Sequence, residues 1–117
     1  MGSQWENLVI DAQDPARLAR WWAEALGYEV VHESVDEVEI RRAPDALPAL
    51  IFVPIPEGKT GKNRLHLDLR PDDREAEVER LVDMGARHVA VGQPADVGWT
   101  VLADPEGNEF CVLAAAR

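Results

Sequence analysis

The chain has 117 residues, a length typical of one domain with a single hydrophobic core. Its formal net charge of −10 and pI near 4.6 oppose binding to nucleic acid or to an anionic membrane surface. With 46% hydrophobic residues, one cysteine, and no apolar run suited to a signal peptide or a membrane span, the sequence predicts a cytoplasmic globular protein without an intrachain disulfide.

The first half of the chain has the pattern of a strand, a helix and three further strands. A strand is predicted over residues 4–12, and a helix begins at Asp14-Pro15, because aspartate caps free N–H groups and proline suits the first helical position. Gly27 is placed to end this helix in a left-handed conformation. The apolar face of the helix contains Leu18, Trp21, Trp22, Ala25 and Leu26. The three strands are predicted over residues 28–34, 38–42 and 49–55.

After a connector at residues 57–62, the same order of elements is predicted again. A helix begins at Asp72 or Asp73, and Asp72 with Glu75 has the spacing of a capping box. Gly85 is placed to end it. The buried face of this helix is predicted to contain Val78, Leu81, Val82 and Gly85, followed by Ala86. The strands are predicted over residues 65–70, 87–91, 99–103 and 109–114, with a loop at residues 92–98 and a turn at residues 104–108.

The predicted strand at residues 65–70 has two chemically different faces, because side chains alternate along a strand. Its leucines point to one side, where a core is expected, and His66 and Asp68 point to the other. Histidine and a carboxylate on one strand face are typical of a general base with an orienting group. A histidine hydrogen-bonded in a polar wall has the same pattern, and both interpretations stay open.

An internal repeat organises the chain. The helix-ending residues Gly27 and Gly85 are 58 residues apart, and Asp14 and Asp72 have the same separation. The repeat divides the chain into a first module at residues 4–56, a connector at residues 57–62, and a second module at residues 63–117. Each module is predicted to have the order βαβββ.

Five segments, read in order, resemble the vicinal oxygen chelate superfamily, in particular its small glyoxalase-like and bleomycin-resistance-like members. They are Val9-Ile10-Asp11-Ala12, Asp14-Pro15-Ala16-Arg17-Leu18-Ala19-Arg20-Trp21-Trp22, Leu26-Gly27-Tyr28, Lys62-Asn63-Arg64-Leu65-His66-Leu67-Asp68-Leu69, and Asp104-Pro105-Glu106-Gly107-Asn108-Glu109-Phe110-Cys111. The resemblance implies an α+β fold in which two βαβββ modules form a half-open barrel around a cavity, as a single glyoxalase-like domain over residues 1–117. It also implies a homodimer.

In catalytic members of that superfamily, the first and last strands of each module supply His, Glu or Gln ligands to a divalent metal. Carried over, the resemblance places these positions at Asn7, Val53, His66 and Cys111, with Glu109 on the same strand face as Cys111. Only His66 has a usual ligand type. As an alternative to metal binding, these residues would line a cavity that holds an organic ligand.

Other cavity residues have two interpretations each. Trp99 follows the loop at residues 92–98, where it would stack a planar ligand at the cavity mouth or fill the barrel interior. Cys111 is interpreted as a nucleophile, a ligand or a small buried hydrophobic residue. Asn7 would donate to a ligand carbonyl or satisfy backbone groups near the strand start.

The sequence therefore predicts a cavity protein that binds a small organic molecule without a cofactor. One alternative is a divalent-metal-dependent lyase, isomerase or dioxygenase that uses His66. Another is metal-free acid–base catalysis by His66 and Asp68. Enzymatic and purely binding functions both stay open, because a fold alone does not fix function.

Overall fold

A computed structural model describes residues 2–90 and 98–115 of the chain. The chain divides into two compact units, Met1–Gly58 and Lys59–Arg117. The first unit contains β1 (Asn7–Ala12), α1 (Pro15–Leu26), β2 (Glu29–Glu33), β3 (Val38–Arg41) and β4 (Ala49–Pro54). The second contains β5 (Asp68–Leu69), α2 (Arg74–Asp83), β6 (Arg87–His88), β7 (Trp99–Ala103) and β8 (Glu109–Leu113). The predicted α+β class with two βαβββ modules is confirmed.

The two sheets have the same topology. Their strand orders are β1-β4-β3-β2 and β5-β8-β7-β6. In each sheet the first and last strands of the module pair in parallel, and the remaining neighbours are antiparallel. The first strand of each module therefore lies beside its last strand, and side chains from both share one face of the sheet.

Helix α1 begins and ends where the sequence predicts. The Asp14 carboxylate accepts a hydrogen bond from the Arg17 N–H at 3.2 Å, which satisfies one of the free donors of the first turn. Gly27 has φ +71°, a conformation that costs a residue with a Cβ atom about 1–2 kcal/mol. The rings of Trp21 and Trp22 meet edge to face, with centroids 5.0 Å apart, and both side chains are buried.

The core of the first module lies on the face of its sheet where α1 packs. Val38 is opposite Phe52 and Ile40 is opposite Leu50, and all four side chains are buried. On the other face, alternation places the charged and half-buried residues of the same strands. Burial of each large core side chain contributes about 1.5–3 kcal/mol, so this face sets the register of the sheet.

In the second module, α2 packs against β8 and buries Leu81. Phe110 is opposite Leu102 in the ladder and both are fully buried. The helix is capped by Asp73, whose carboxylate accepts from the Ala76 N–H at 3.1 Å. The predicted capping box at Asp72 is wrong, because the cap lies one residue later and the third helical residue is then alanine.

The C-terminal end of α2 also differs by one residue from the prediction. Met84 is the C-cap, and Gly85 follows it with φ +113°. Gly85 therefore takes the positive φ that the sequence predicts, but just beyond the helix. Because the N-cap is Asp73, the two caps are 59 residues apart rather than 58.

The strand predicted over residues 65–70 is much shorter. Strand β5 contains only Asp68 and Leu69, and the ladder extends by one bond, from the Cys111 N–H to the Leu67 carbonyl at 2.9 Å. Leu65 is 80% exposed, so its predicted core position is wrong. The chain before Leu67 is held by the Glu109 side chain of β8, which accepts the Asn63 N–H, instead of by strand pairing.

One predicted strand and the loop after it lie partly outside the described residues. Of the strand predicted over residues 87–91, Arg87–His88 is present, and residue 91 lies outside the described residues, as do residues 92–97 of the predicted loop. In the part of the chain that the structure describes, neither helix has the length and apolar character needed to cross a bilayer. The homodimer and the cytoplasmic location stay predictions of the sequence.

Candidate functional site

Three chemically active side chains meet on the sheet of the second module. The parallel register of β5 and β8 places Asp68 opposite Cys111. His66, two residues before Asp68, lies on the same side, and its Nδ1 is 3.0 Å from the Asp68 Oδ1. One donor atom from each of the three residues lies within 4.8 Å of the other two. Among residues 2–90 and 98–115, this is the one group of histidine, cysteine and acidic residues with such spacing.

The group is open to solvent on one side and closed on the other. The side chains of His66 and Asp68 are 43% and 49% exposed, whereas Cys111 is buried at 8% exposure. A small molecule or ion can therefore reach the imidazole and the carboxylate directly. The sulfur lies at the inner end of the group, fixed by the backbone of β8.

The Cys111 thiol is a hydrogen-bond donor rather than a reactive thiolate. Burial raises its pKa, and the charge of Asp68 and a hydrogen bond to that carboxylate raise the pKa further, against a smaller opposing influence of Lys62. Thiolate is the nucleophilic form of cysteine, and a raised pKa keeps the thiol protonated at neutral pH. The nucleophile interpretation of Cys111 therefore receives no support from its environment.

Glu109 lies on the same strand face but is engaged with the segment that precedes His66. Its carboxylate lies 2.5 Å from the Lys59 Nζ and accepts the Asn63 N–H at 2.8 Å. Burial by itself raises the pKa of Glu109, but the bonds to Lys59 and Asn63 together outweigh it, and the pKa is lowered. Glu109 therefore anchors the chain three residues before His66. The sequence predicts only a connector over residues 57–62, and nothing in its spacing indicates this anchor.

Trp99 lies on the same face as Cys111. It is opposite Leu113, and the next ladder pair on that face is Val101 with Cys111. The Trp99 side chain is 38% exposed. We call the side chains of His66, Asp68, Trp99, Glu109 and Cys111 the second-module polar face.

The first module has the same ladder with different side chains. Asp11 is opposite Val53, as Asp68 is opposite Cys111. Two residues before Asp11 lies Val9, which is 54% exposed, in the place that His66 takes relative to Asp68. Asn7 is opposite Ala49 at the start of the strand. This face therefore presents one carboxylate, one amide and aliphatic side chains.

The four-ligand metal site implied by the superfamily resemblance does not fit these residues. Val53 has no atom that coordinates a metal, and Asn7 offers only a neutral amide oxygen. Cys111 would add a soft sulfur to a site that hard divalent ions occupy through oxygen. His66 is the only one of the four positions with a usual ligand.

A buried carboxylate lies in the turn that precedes β8. Asp104 is fully buried, and its Oδ1 accepts the N–H groups of Glu106 and Asn108 at 2.9 and 3.0 Å. The Asn108 amide donates to its Oδ2 at 3.0 Å. Gly107 takes φ +90° in this loop. The loop fixes where β8 begins, and so where Glu109 and Cys111 lie.

The sequence and the fold were each compared with known proteins. The sequence model described as a glyoxalase-like domain matches residues 7–113. No curated protein matches the sequence.

Three of the solved structures that are similar to this one illustrate the range. A glyoxalase/bleomycin resistance protein/dioxygenase family enzyme from Burkholderia phytofirmans has a TM-score of 0.73 at 16% identity, covering 94% of this chain and 97% of that one. The trypanothione-dependent glyoxalase I of Leishmania major has a TM-score of 0.70 at 14% identity, covering 97% and 87%. The bleomycin-binding protein of Streptomyces verticillus, complexed with copper(II)-bleomycin, has a TM-score of 0.63 at 18% identity, covering 99% of both chains. At these identities the similarity concerns the fold.

Proposed function

The chain belongs to the glyoxalase-like domain family, and we propose that it binds a small organic molecule on its second-module polar face, without the four-ligand metal site of catalytic relatives. The observation that carries the proposal is the group of His66, Asp68 and Cys111, in which two polar side chains are exposed above a buried thiol. A carboxylate and an imidazole that are accessible and fixed against each other are suited to orient a ligand through hydrogen bonds.

The chemistry of the face favours a ligand with polar groups beside a planar or apolar part. Asp68 accepts hydrogen bonds, and His66 donates or accepts them depending on its protonation. Trp99, half-exposed on the same face, offers a ring on which a planar group stacks. The similar fold of the Streptomyces verticillus protein binds copper(II)-bleomycin, so the fold accommodates a small-molecule ligand in that case.

The other predicted ligand residues have separate roles in this proposal: one supports the face, and two stay predicted ligand contacts. Glu109 supports the face by anchoring Lys59 and Asn63, which fixes the segment leading into His66. Asn7 and Val53, on the sheet of the first module, stay predicted ligand contacts.

A thermal-shift screen of small organic molecules, run in the presence of a chelator, tests the proposal. A ligand at a hundredfold excess over its Kd stabilises the protein by about 2.7 kcal/mol, and the stabilisation should be lost in Asp68→Asn and reduced in Trp99→Ala. His88→Gln, an exposed residue of β6, is the matched control and should behave as the wild type. If no compound stabilises the wild type, or if hits stabilise Asp68→Asn equally, the proposed site is wrong.

Acid–base catalysis by His66 and Asp68 is a second candidate, favoured by the 3.0 Å contact between the Nδ1 and Oδ1 atoms. A carboxylate in this position orients an imidazole for proton transfer. The same screening hits, incubated with protein and analysed by mass spectrometry, separate the two functions. Conversion of a hit that disappears in His66→Gln supports catalysis, and recovery of every hit unchanged supports binding alone.

A further inference from the structure

We propose that the second module by itself holds a divalent cation of the zinc class, coordinated by His66, Asp68 and Cys111. The three residues offer one nitrogen, one oxygen and one sulfur donor, all within 4.8 Å of one another. This donor set differs from the one that the family resemblance implies, because it adds Asp68 and needs nothing from the first module.

The spacing of the donors is close to that of a tetrahedral site. Zinc bonds of about 2.0–2.3 Å place tetrahedral ligand atoms roughly 3.3–3.7 Å apart. Donors as far apart as 4.8 Å need to approach by roughly 1.1–1.5 Å to reach this spacing. His66 and Asp68 are exposed and their side chains can turn, whereas Cys111 is fixed in the ladder of β8. The two mobile ligands can therefore close on an ion held at the sulfur.

The type of donor selects the type of ion. Thiolate is a soft ligand that favours zinc over magnesium, calcium or manganese, which prefer oxygen donors. Three protein ligands on a group that is open to solvent leave the fourth position of a tetrahedral ion for water or a ligand. Structural zinc sites usually close all four positions with protein, so this site has the open form.

Binding requires an exchange of existing interactions. In the free protein, the Asp68 carboxylate contacts the His66 Nδ1 at 3.0 Å and accepts a hydrogen bond from the Cys111 thiol. The ion replaces these contacts, and the thiol releases its proton to solvent as the metal–sulfur bond forms. The positive charge of Lys62, which acts on Cys111, opposes the cation.

Titration of chelator-treated, untagged protein with cobalt(II), the spectroscopic substitute for zinc, tests the site. We expect one equivalent to bind with visible bands typical of tetrahedral cobalt and a near-ultraviolet thiolate-to-cobalt charge-transfer band, both displaced by zinc. Cys111→Ser should abolish the charge-transfer band. His66→Gln and Asp68→Asn should each weaken binding at least about 10–100-fold, the loss seen even for groups that only support a metal ligand.

Each exposed ligand has a matched control. Asp11→Asn removes the carboxylate at the corresponding ladder position of the first module, opposite Val53, and should leave affinity unchanged. His88→Gln removes an exposed histidine of β6 in the second module, outside the proposed site, and should also have no effect. Circular dichroism of each variant separates loss of the site from loss of folding.

Absence of the charge-transfer band in the wild type overturns the proposal, as does cobalt binding that Asp11→Asn weakens as much as Asp68→Asn. If Cys111→Ser fails to fold, the comparison of Asp68→Asn with Asp11→Asn decides. The proposal does not rest on the proposed function: organic-ligand binding is measured with a chelator present, and metal binding is measured without any organic ligand, so either can fail alone.

Discussion

The two modules pair their first and last strands in the same parallel arrangement, yet among the residues that the structure describes only those of the second bring three potential metal donors together. Asp11 lies beside Val53 in the first module, and Asp68 lies beside Cys111 in the second. The ladder position two residues before the aspartate is Val9 in one and His66 in the other. The backbone thus provides equivalent positions twice, and two side-chain differences concentrate the chemistry in one module.

The modules differ also in how the strand before the site is held. In the first module β1 has six residues, paired along its length with β4. In the second, β5 has two residues, and Glu109 holds the preceding segment through Lys59 and Asn63. A side-chain anchor has replaced ladder hydrogen bonds, and it leaves His66 outside regular strand geometry beside Asp68.

The largest expected effect concerns the cores that the two modules have in common. Phe52→Ala and Phe110→Ala each remove a fully buried ring at equivalent positions of β4 and β8. Each should lower the free energy of unfolding by about 3–5 kcal/mol, measured by urea denaturation. Val35→Ala, at a position 92% exposed, is the control and should change stability by less than about 0.5 kcal/mol.

The same experiment sharpens the comparison of the modules. If both phenylalanine variants shift a single transition, the modules unfold together. If each variant shifts a different transition, the modules unfold as separate units. A loss below about 1 kcal/mol for either variant would contradict its place in the core.

The next effect concerns the Glu109 anchor. Glu109→Gln removes the ion pair with Lys59 and should cost roughly 1–3 kcal/mol near neutral pH. Because the folded-state pKa of Glu109 is lowered, its stabilisation is present above the ordinary glutamate pKa and is lost as pH falls through the lowered value. The stability difference between wild type and Glu109→Gln should therefore shrink on acidification, in urea denaturation at a series of pH values.

Glu39→Gln in the first module is the comparison for this variant. Glu39 forms an ion pair with Arg41, two residues away on the same strand, with 2.6 Å between Oε2 and Nε. Glu109 instead connects β8 to Lys59 and Asn63, about 46–50 residues earlier in the chain. The local pair should matter less. An equal loss in the two variants would mean that the anchor adds nothing beyond an ordinary ion pair.

The smallest effect concerns the helix caps. Asp14→Ala and Asp73→Ala each remove a carboxylate that accepts a first-turn N–H and should cost about 1 kcal/mol. Asp72→Ala should change stability by less than about 0.5 kcal/mol. Thermal unfolding of the three variants checks this order. A larger loss of stability in Asp72→Ala than in Asp73→Ala would mean that Asp72 caps the helix, against the structure.

Local patterns of the sequence predicted local features well and missed long-range ones. The helix beginning at Asp14 and ending at Gly27 follows from chemistry within one segment, as does the common side of His66 and Asp68. Alternation predicts a core position for Leu65, but the strand begins only at Asp68 and Leu65 is exposed. Asp72 and Asp73 both fit the sequence pattern of a helix cap, and the structure selects Asp73.

Periodicity and capping within short segments of the sequence predict the two βαβββ modules and the buried face of α1, whereas in α2 only Leu81 is buried. The position of Cys111 beside Asp68 and the contacts of Glu109 with Lys59 and Asn63 follow only from the tertiary structure. Those contacts join residues more than forty positions apart. Their register is fixed by burial of Phe110 and its neighbours on the opposite face of β8, and that packing leaves no short-range pattern along the chain.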